Sequence, residues 1–119
     1  MYPLGNPTCL FCKIVDKQIP SKTIYEDEQA IAFFDVNPKA PLHLLIIPRK
    51  HIVSLAEMKE ADQPTISHLF GIAIALAEKQ GVSQAGFRTV INTGADGGQT
   101  VFHLHLHLMA GRPFSWPPG

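Results

Sequence analysis

One stretch near the C-terminal end constrains the fold of this chain more than any other. From His103 to Met109 the residues read His-Leu-His-Leu-His-Leu-Met, so polar imidazoles alternate with apolar side chains. Strict alternation is typical of a β-strand, whose successive side chains point to opposite faces of a sheet. The leucine face needs a hydrophobic core, which we expect a long helix to supply. The three imidazoles then share the other face, turned to solvent or to a cleft.

The rest of the chain predicts an α+β domain around this strand. Runs rich in β-branched, aromatic and apolar residues predict strands over residues 23–26, 30–36, 42–47, 87–92 and 101–109. Apolar residues at helical spacing predict one long helix over residues 64–80, with a proline in its first turn and Gly81 after its end. Residues 10–19 predict a short N-terminal helix. This order of elements, with short connections, indicates an antiparallel sheet rather than a parallel one.

Length and charge limit the organisation and the partners of the chain. Its 119 residues suffice for one domain, and we expect loosely structured tails at residues 1–7 and 113–119. Ten Lys and Arg residues balance ten Asp and Glu residues, which argues against a protein that coats nucleic acid or an anionic membrane. The sequence shows no signal peptide and no apolar run of the about 20 residues that span a bilayer. We therefore expect a soluble, cytoplasmic protein.

Two kinds of chemistry fit three histidines on one strand face. Neutral imidazole is a common metal ligand. Alternate strand residues lie about 6.6 Å apart, however, so one strand alone supplies a three-histidine zinc site with difficulty. Neutral imidazole is also a nucleophile near pH 7, and a protonated neighbour can neutralise charge or protonate a leaving group. The second combination suits attack on a phosphate.

A glycine-rich turn directly before the histidines favours the phosphate reading. Residues 94–100 read Gly-Ala-Asp-Gly-Gly-Gln-Thr. Backbone N–H groups of such a turn can form an anion-binding nest, although many such turns only connect the strands of a hairpin. Because this turn leads straight into the histidine strand, the combination indicates a phosphate site.

These residues together resemble the histidine triad (HIT) family of nucleotide-binding hydrolases and transferases, most closely its Hint branch. The resemblance rests on the histidine strand, the terminal Trp-Pro-Pro-Gly and residues 13–14, 19–20, 25–27, 33–35, 40–43, 47–52 and 92–100. It implies a HIT-like fold with a five-stranded antiparallel sheet, one long helix and one short N-terminal helix. It also implies a homodimer that hydrolyses the P–N bond of purine nucleoside phosphoramidates, such as AMP joined to lysine or another amine.

Two other functions stay open beside this one. The chain can be a dinucleoside-polyphosphate hydrolase of the same family, or a nucleotide-binding interaction protein with little catalysis. We expect a purine mononucleotide or an AMP conjugate as ligand, and neither nucleic acid nor a membrane as partner.

The resemblance assigns roles to individual residues. His105 corresponds to the nucleophile that forms a covalent nucleotidyl-histidine, and His107 to the residue that contacts the phosphate and assists the leaving group. His43 corresponds to a supporting histidine, and Asp35 to the acid that binds the ribose hydroxyls. Further nucleotide contacts are implied for Phe11, Phe33, Val36, Asn92, Gly98, Gln99, Thr100 and Trp116. Trp116 corresponds to a residue near the active-site mouth of the dimer partner.

Cys9 and Cys12 are the two cysteines of the chain. Their spacing gives half of a zinc site, and the residues alone leave a redox pair or two buried cysteines open as alternatives. Some proteins of the family complete such a site with histidines that correspond to His51 and His103. The resemblance thus implies a structural zinc ion that the chemistry does not require.

Overall fold

A five-stranded antiparallel sheet organises the chain in the computed structural model, which describes residues 6–119. The elements in chain order are α1 (Leu10–Val15), β1 (Thr23–Glu26), β2 (Ala30–Phe34), β3 (Leu42–Pro48), α2 (Gln63–Lys79), β4 (Phe87–Val90) and β5 (Leu106–Ala110). The strand order across the sheet is β1-β2-β3-β5-β4, and every neighbouring pair is antiparallel. The predicted α+β class and five-stranded antiparallel sheet are confirmed.

One face of the sheet packs under the long helix α2. The three leucines that alternate with the histidines, Leu104, Leu106 and Leu108, are buried there together with Leu69 and Leu76 of α2. The expectation that the leucine face packs beneath the long helix is therefore confirmed. The helix itself begins and ends one residue earlier than predicted.

The opposite face of the sheet packs against α1. Phe11, Cys12 and Ile14 are buried there against strand residues that include Leu45 and Ile47. Strand β3 thus contributes to both layers, because its residues on the other face belong to the core under α2. A strand covered on both faces reads as a continuous apolar run, as residues 42–47 do.

Three elements end earlier than the sequence predicted. Helix α1 ends at Val15 instead of residue 19, and Lys17 just beyond it has a left-handed backbone with a φ of 60°. Strand β2 ends at Phe34 because the Asp35 carboxylate accepts a hydrogen bond from the Asn37 N–H at 2.8 Å and turns the chain. Strand β4 ends at Val90 instead of residue 92.

Strand β5 begins at Leu106 and not at residue 101, so this boundary was wrong. Its ladder with β3 starts where Leu106 pairs with Ile46. Before that point the Leu104 N–H donates to the Ile52 carbonyl at 2.7 Å, and this contact leads the chain away from the sheet. Of the three histidines, only His107 therefore lies on the strand.

The two ends of the chain were expected to be loosely structured. Residues 1–5 of the expected N-terminal tail lie outside the described residues. At the C-terminal end, Arg88 of β4 donates to the Ser115 carbonyl at 2.9 Å and its guanidinium lies over the Phe114 ring. Side chains from the sheet thus hold residues 114–115. Within residues 6–119, no helix combines the length and the apolar composition that crossing a bilayer requires.

Candidate active site and metal centre

His105 and His107 line a cavity of about 440 Å³ on the side of the sheet that α1 covers. Apolar side chains form most of its wall, among them Phe11, Ile14, Ile19, Phe33, Leu45 and Val101. Polar residues converge on it from two loops and from β3, namely Asp35, Lys39, His43 and Thr100. A largely apolar pocket with a few converging polar groups is the usual form of a small-molecule site.

The cavity brings together most of the residues predicted to bind a nucleotide. Those that line it are Phe11, Phe33, Asp35, Val36, Thr100, His105 and His107. Those that do not line it are Asn92, Gly98, Gln99 and Trp116. The exposed fraction of Trp116 is 82%, and this residue lies on the surface of the C-terminal segment.

Gln99 is buried, and its side-chain amide is committed to the main chain. Its Oε1 accepts from the Gly94 N–H at 2.9 Å. Its Nε2 donates to the carbonyls of Val53 at 2.7 Å and Val101 at 3.1 Å. Gln99 therefore stabilises the conformation of the glycine-rich turn through hydrogen bonds to the main chain.

Sequence reasoning missed several cavity residues, and only one of them carried a usable signal. Leu45 shares a face of β3 with His43 by strand alternation, and it pairs with His107 across the ladder. Ile19 and Lys39 lie in irregular segments, and Ile14 belongs to α1. The positions of these three side chains depend on tertiary contacts that a local pattern does not report.

A hydrogen bond holds His105 in the tautomer with its proton on Nδ1. Its Nδ1 lies 2.8 Å from the His103 carbonyl oxygen, and because a carbonyl only accepts, Nδ1 carries the proton. Nε2 is left with its lone pair. The Phe11 ring packs edge-on against this imidazole with centres 5.1 Å apart. Burial lowers the pKa of His105, which favours the neutral form.

A chain of hydrogen bonds sets the opposite tautomer at His107. The Lys39 N–H donates to Nδ1 of His43 at 3.0 Å, so neutral His43 carries its proton on Nε2. That nitrogen lies 2.9 Å from Nδ1 of His107, which therefore accepts, and neutral His107 holds its own proton on Nε2. This Nε2 is buried and has no hydrogen-bond partner among the described residues. A free N–H donor thus stands next to His105, whose ring centre is 5.0 Å away.

Burial favours the neutral forms of His43 and His107. It lowers the pKa of His107 to about 4, an effect that His105 and His43 strengthen and Asp35 opposes. Burial likewise lowers the pKa of His43. The sequence suggested a cationic histidine beside His105, and in the protein alone the lowered pKa of His107 favours the neutral form. An anion bound beside His107 would raise its pKa again.

Cys9, Cys12, His51 and His103 bring four potential metal-ligating atoms together next to the cavity. Cys12 Sγ lies 3.1 Å from His51 Nδ1 and 3.4 Å from His103 Nδ1. Cys9 Sγ lies 3.4 Å from the same His103 nitrogen. A tetrahedral zinc ion with bonds of about 2.0–2.3 Å separates its ligand atoms by roughly 3.3–3.8 Å. The cluster is close to the size that such an ion needs.

The second ring nitrogen of His103 supports the fit to a metal. Nε2 lies 2.8 Å from the Pro48 carbonyl and therefore carries the proton, so the lone pair of Nδ1 faces the cluster. Histidines that bind metals usually donate their other N–H to such a carbonyl. Burial, followed by the hydrogen bond with Cys9, raises the pKa of Cys12 to about 11, so this thiol releases a proton when a metal binds. The donor set fits a tetrahedral zinc site.

Asp35, His43 and His107 form a second compact group of potential ligands. Both nitrogens of His43 are already engaged, one by the Lys39 N–H and the other by His107. Asp35 Oδ2 lies 3.4 Å from the proton-bearing Nε2 of His43. We therefore interpret this group as a hydrogen-bonded chain rather than as a metal site.

Comparison with known sequences identifies the family. A family model described as the HIT domain matches residues 16–114. An uncharacterised HIT-like protein of Synechocystis is 49% identical over 110 residues, which cover 92% of this chain and 96% of that protein.

Solved structures show the same fold. The crystal structure of a HIT family hydrolase from Legionella pneumophila matches with a TM-score of 0.92 at 45% identity, covering 94% of this chain and 100% of that one. A histidine triad protein from Clostridium difficile matches with a TM-score of 0.90 at 42% identity, covering 92% and 96% of the two chains. The fold, the sequence relatives and the family model agree, and the chain belongs to the HIT domain family.

Proposed function

We propose that this protein is a Hint-type hydrolase that cleaves the P–N bond of purine nucleoside phosphoramidates, AMP–amine conjugates among them, through a nucleotidyl intermediate on His105. One observation carries the proposal. In a single cavity, hydrogen bonds leave His105 with a free lone pair on Nε2 and His107 with a free N–H on Nε2. A nucleophile and a proton donor are thus assembled side by side. The similarity to a HIT family hydrolase supports a hydrolytic reaction.

The first half of the reaction transfers the nucleotidyl group. The lone pair of His105 Nε2 forms a bond to the α-phosphorus, and the P–N bond breaks with its electron pair moving to nitrogen. With the substrate phosphate bound, His107 is protonated on both nitrogens, and the departing amine takes the proton from its Nε2, which leaves the ring neutral. A substrate phosphate beside His107 raises the pKa of that ring from its value of about 4 in the protein alone.

The second half of the reaction restores the protein. Water attacks the phosphorus, the bond between phosphorus and His105 breaks, and the electron pair returns to Nε2 of His105. The proton of the water goes to Nε2 of His107. Amine and nucleoside monophosphate are the products. His105 regains its lone pair on Nε2, and His107 releases its extra proton to solvent when the phosphate leaves.

Residues around the two histidines support nucleotide binding. Asp35 lines the cavity, and its carboxylate is oriented by the Asn37 N–H, so it can accept hydrogen bonds from ribose hydroxyls. Thr100 lines the cavity where the glycine-rich turn ends and can donate to the phosphate. Phe11, Phe33 and Val36 supply apolar surface for the base, while Asn92 and Gly98 stay proposed contacts of the phosphate and ribose. Purine preference rests on the resemblance to the Hint branch.

The proposal also includes a homodimer, a structural zinc ion and a cytoplasmic location. Trp116 is largely exposed and does not line the cavity of its own chain, which supports a role at the site of a second copy in a homodimer. A zinc ion held by Cys9, Cys12, His51 and His103 would supply a cross-link between the start of α1 and the sheet. The two free thiols support a reducing, cytoplasmic location.

The proposal is tested with AMP–lysine phosphoramidate and a diadenosine polyphosphate as competing substrates. We expect faster turnover of the phosphoramidate, and a loss of about a thousandfold or more in His105→Ala because the nucleophile is gone. Intact-mass measurement during wild-type turnover should detect a nucleotidyl adduct that the variant lacks. The control is His68→Ala, since His68 lies on α2 outside the cavity, bonded to Asp27.

Each alternative predicts a different result. Wild-type turnover in His105→Ala would refute the mechanism. Preference for the diadenosine substrate would favour the dinucleoside-polyphosphate hydrolase. Tight binding of AMP with neither turnover nor adduct would favour the interaction protein.

A further inference from the structure

We propose that Arg112, which does not line the cavity, is a positioning residue for the site. Its guanidinium holds the main chain of Lys39, and the Lys39 N–H in turn fixes the tautomers of His43 and His107. The kinetic part of this inference rests on the proposed function, whereas its structural part does not.

Arg112 lies two residues after the end of β5 and is fixed by two hydrogen bonds and one ring contact. One terminal nitrogen donates to the Lys39 carbonyl at 2.9 Å, and the other donates to the Pro113 carbonyl at 3.1 Å. The guanidinium also lies over the Phe114 ring, 4.3 Å from its centre. A planar guanidinium that is stacked and hydrogen-bonded at both terminal nitrogens has little freedom to move.

The segment that receives this contact is an irregular loop, residues 35–41, between β2 and β3. Arg112 binds the carbonyl of Lys39, and the N–H of the same residue donates to His43. The C-terminal segment contacts this loop at a second point, where Gly111 packs against Pro41. A Cβ added to Gly111 would come within 2.8 Å of the Pro41 Cβ. The position of the loop therefore depends on residues that follow β5.

The Lys39 N–H favours the state in which His107 presents an N–H to the cavity, and the Asp35 carboxylate, 3.4 Å from Nε2 of His43, favours the same state. With this N–H present, Nδ1 of His43 must accept, and the protons lie on Nε2 of both rings. Without it, His43 can carry its proton on Nδ1 and accept from His107 through Nε2. His107 would then present a lone pair at Nε2 instead of an N–H. Movement of the Lys39 peptide group would thus change the site from a state in which His107 donates through Nε2 to one in which it accepts.

Arg88 provides a matched control for the simpler idea that Arg112 only anchors the C-terminal segment. Its guanidinium also lies over the Phe114 ring, at 5.2 Å, and it also donates to a carbonyl of that segment, Ser115, at 2.9 Å. Its hydrogen bond within the described part of the chain goes to Ser115 and not to Lys39. Removing Arg88 should loosen the same segment without disturbing the Lys39 peptide.

The test compares Arg112→Ala with Arg88→Ala by two readouts. Nitrogen-15 NMR of labelled imidazole rings reports the tautomers of His43 and His107, and steady-state kinetics with AMP–lysine phosphoramidate reports kcat and KM. In Arg112→Ala we expect mixed tautomers at both rings and a kcat lowered about tenfold, the equivalent of one lost hydrogen bond, with KM changed less than about twofold. Arg88→Ala should keep the wild-type tautomers.

Two results would overturn the positioning role. The first is an Arg112→Ala protein with wild-type tautomers. The second is an equal effect of Arg88→Ala on the tautomers, which would assign the effect to the segment as a whole. Should Arg112→Ala fail to fold, Arg112→Gln is measured in the same way. A wild-type protein that does not cleave the phosphoramidate would refute the proposed function, yet the NMR comparison would still decide the role of Arg112.

Discussion

At the scale of single residues, burial of His107 favours its neutral form and lowers the stability of the fold in acid. Its ring is neutral because burial lowers its pKa to about 4, below the ordinary value of 6.5. In the neutral ring, the free N–H on Nε2 exists only in the tautomer that the hydrogen bond from His43 sets. A buried neutral histidine, however, opposes folding in acid, because the unfolded chain takes up a proton that the folded protein excludes.

We therefore expect the free energy of unfolding to fall as the pH is lowered from about 6.5 to about 4. In this window the unfolded chain binds more protons than the folded protein, so stability rises with pH and levels off above the window. Urea unfolding of metal-free protein at fixed concentration measures the slope. His107→Asn should make the slope shallower, and an identical slope in that variant would contradict a neutral buried ring at this position.

At the scale of elements, alternation along β5 separates the core from the site. Leu106 and Leu108 belong to the core under α2. His107 belongs to the opposite face, where it lines the cavity, and Met109 is half-buried on that face. One set of side chains on this short strand thus packs in the core, and the other set includes a residue of the candidate site.

Truncations on the two faces of β5 should differ in cost. Leu108 is fully buried, so Leu108→Ala removes packed methyl groups and leaves a cavity, which lowers the free energy of unfolding by about 2–5 kcal/mol. Met109→Ala is the matched change on the half-buried face and should cost clearly less. Urea denaturation of both variants measures the difference, and equal losses would show that the faces are not divided in this way.

The sequence could predict those features of the elements that depend on local pattern, but not those that depend on tertiary contacts. Hydrophobic periodicity is a local property, and it correctly identified five strands, the long helix and the buried leucine face. The start of β5 is not local, because it depends on the hydrogen bond between Leu104 and Ile52. For the same reason the resemblance to the family implied His43 as a supporting residue, whereas nothing in the sequence indicated that the Lys39 N–H favours one of its tautomers. Proton positions depend on partners that only the folded chain brings together.

At the scale of the whole molecule, the Cys/His cluster joins three parts of the chain. Cys9 and Cys12 lie at the start of α1, His51 follows β3 and His103 precedes β5. The cysteine at position 12 is 39 residues from His51 and 91 from His103. A metal that binds this cluster binds the folded state alone, so its binding free energy adds to stability.

We expect the purified protein to contain about one zinc ion per chain by elemental analysis. Removing it with a chelator should lower Tm by roughly 10 °C, because the N-terminal segment loses its cross-link to the sheet. In Cys12→Ser both the metal and the effect of the chelator should disappear. A metal-free wild-type protein whose melting is insensitive to chelator and to added zinc would contradict a structural metal.

His103 contributes to both sites through different atoms. Its imidazole belongs to the Cys/His cluster, whereas its carbonyl oxygen accepts the hydrogen bond that orients the ring of His105. A main-chain oxygen is present whatever side chain the residue carries. A substitution of the His103 side chain that removes a potential metal ligand therefore leaves in place the carbonyl that accepts the hydrogen bond from His105.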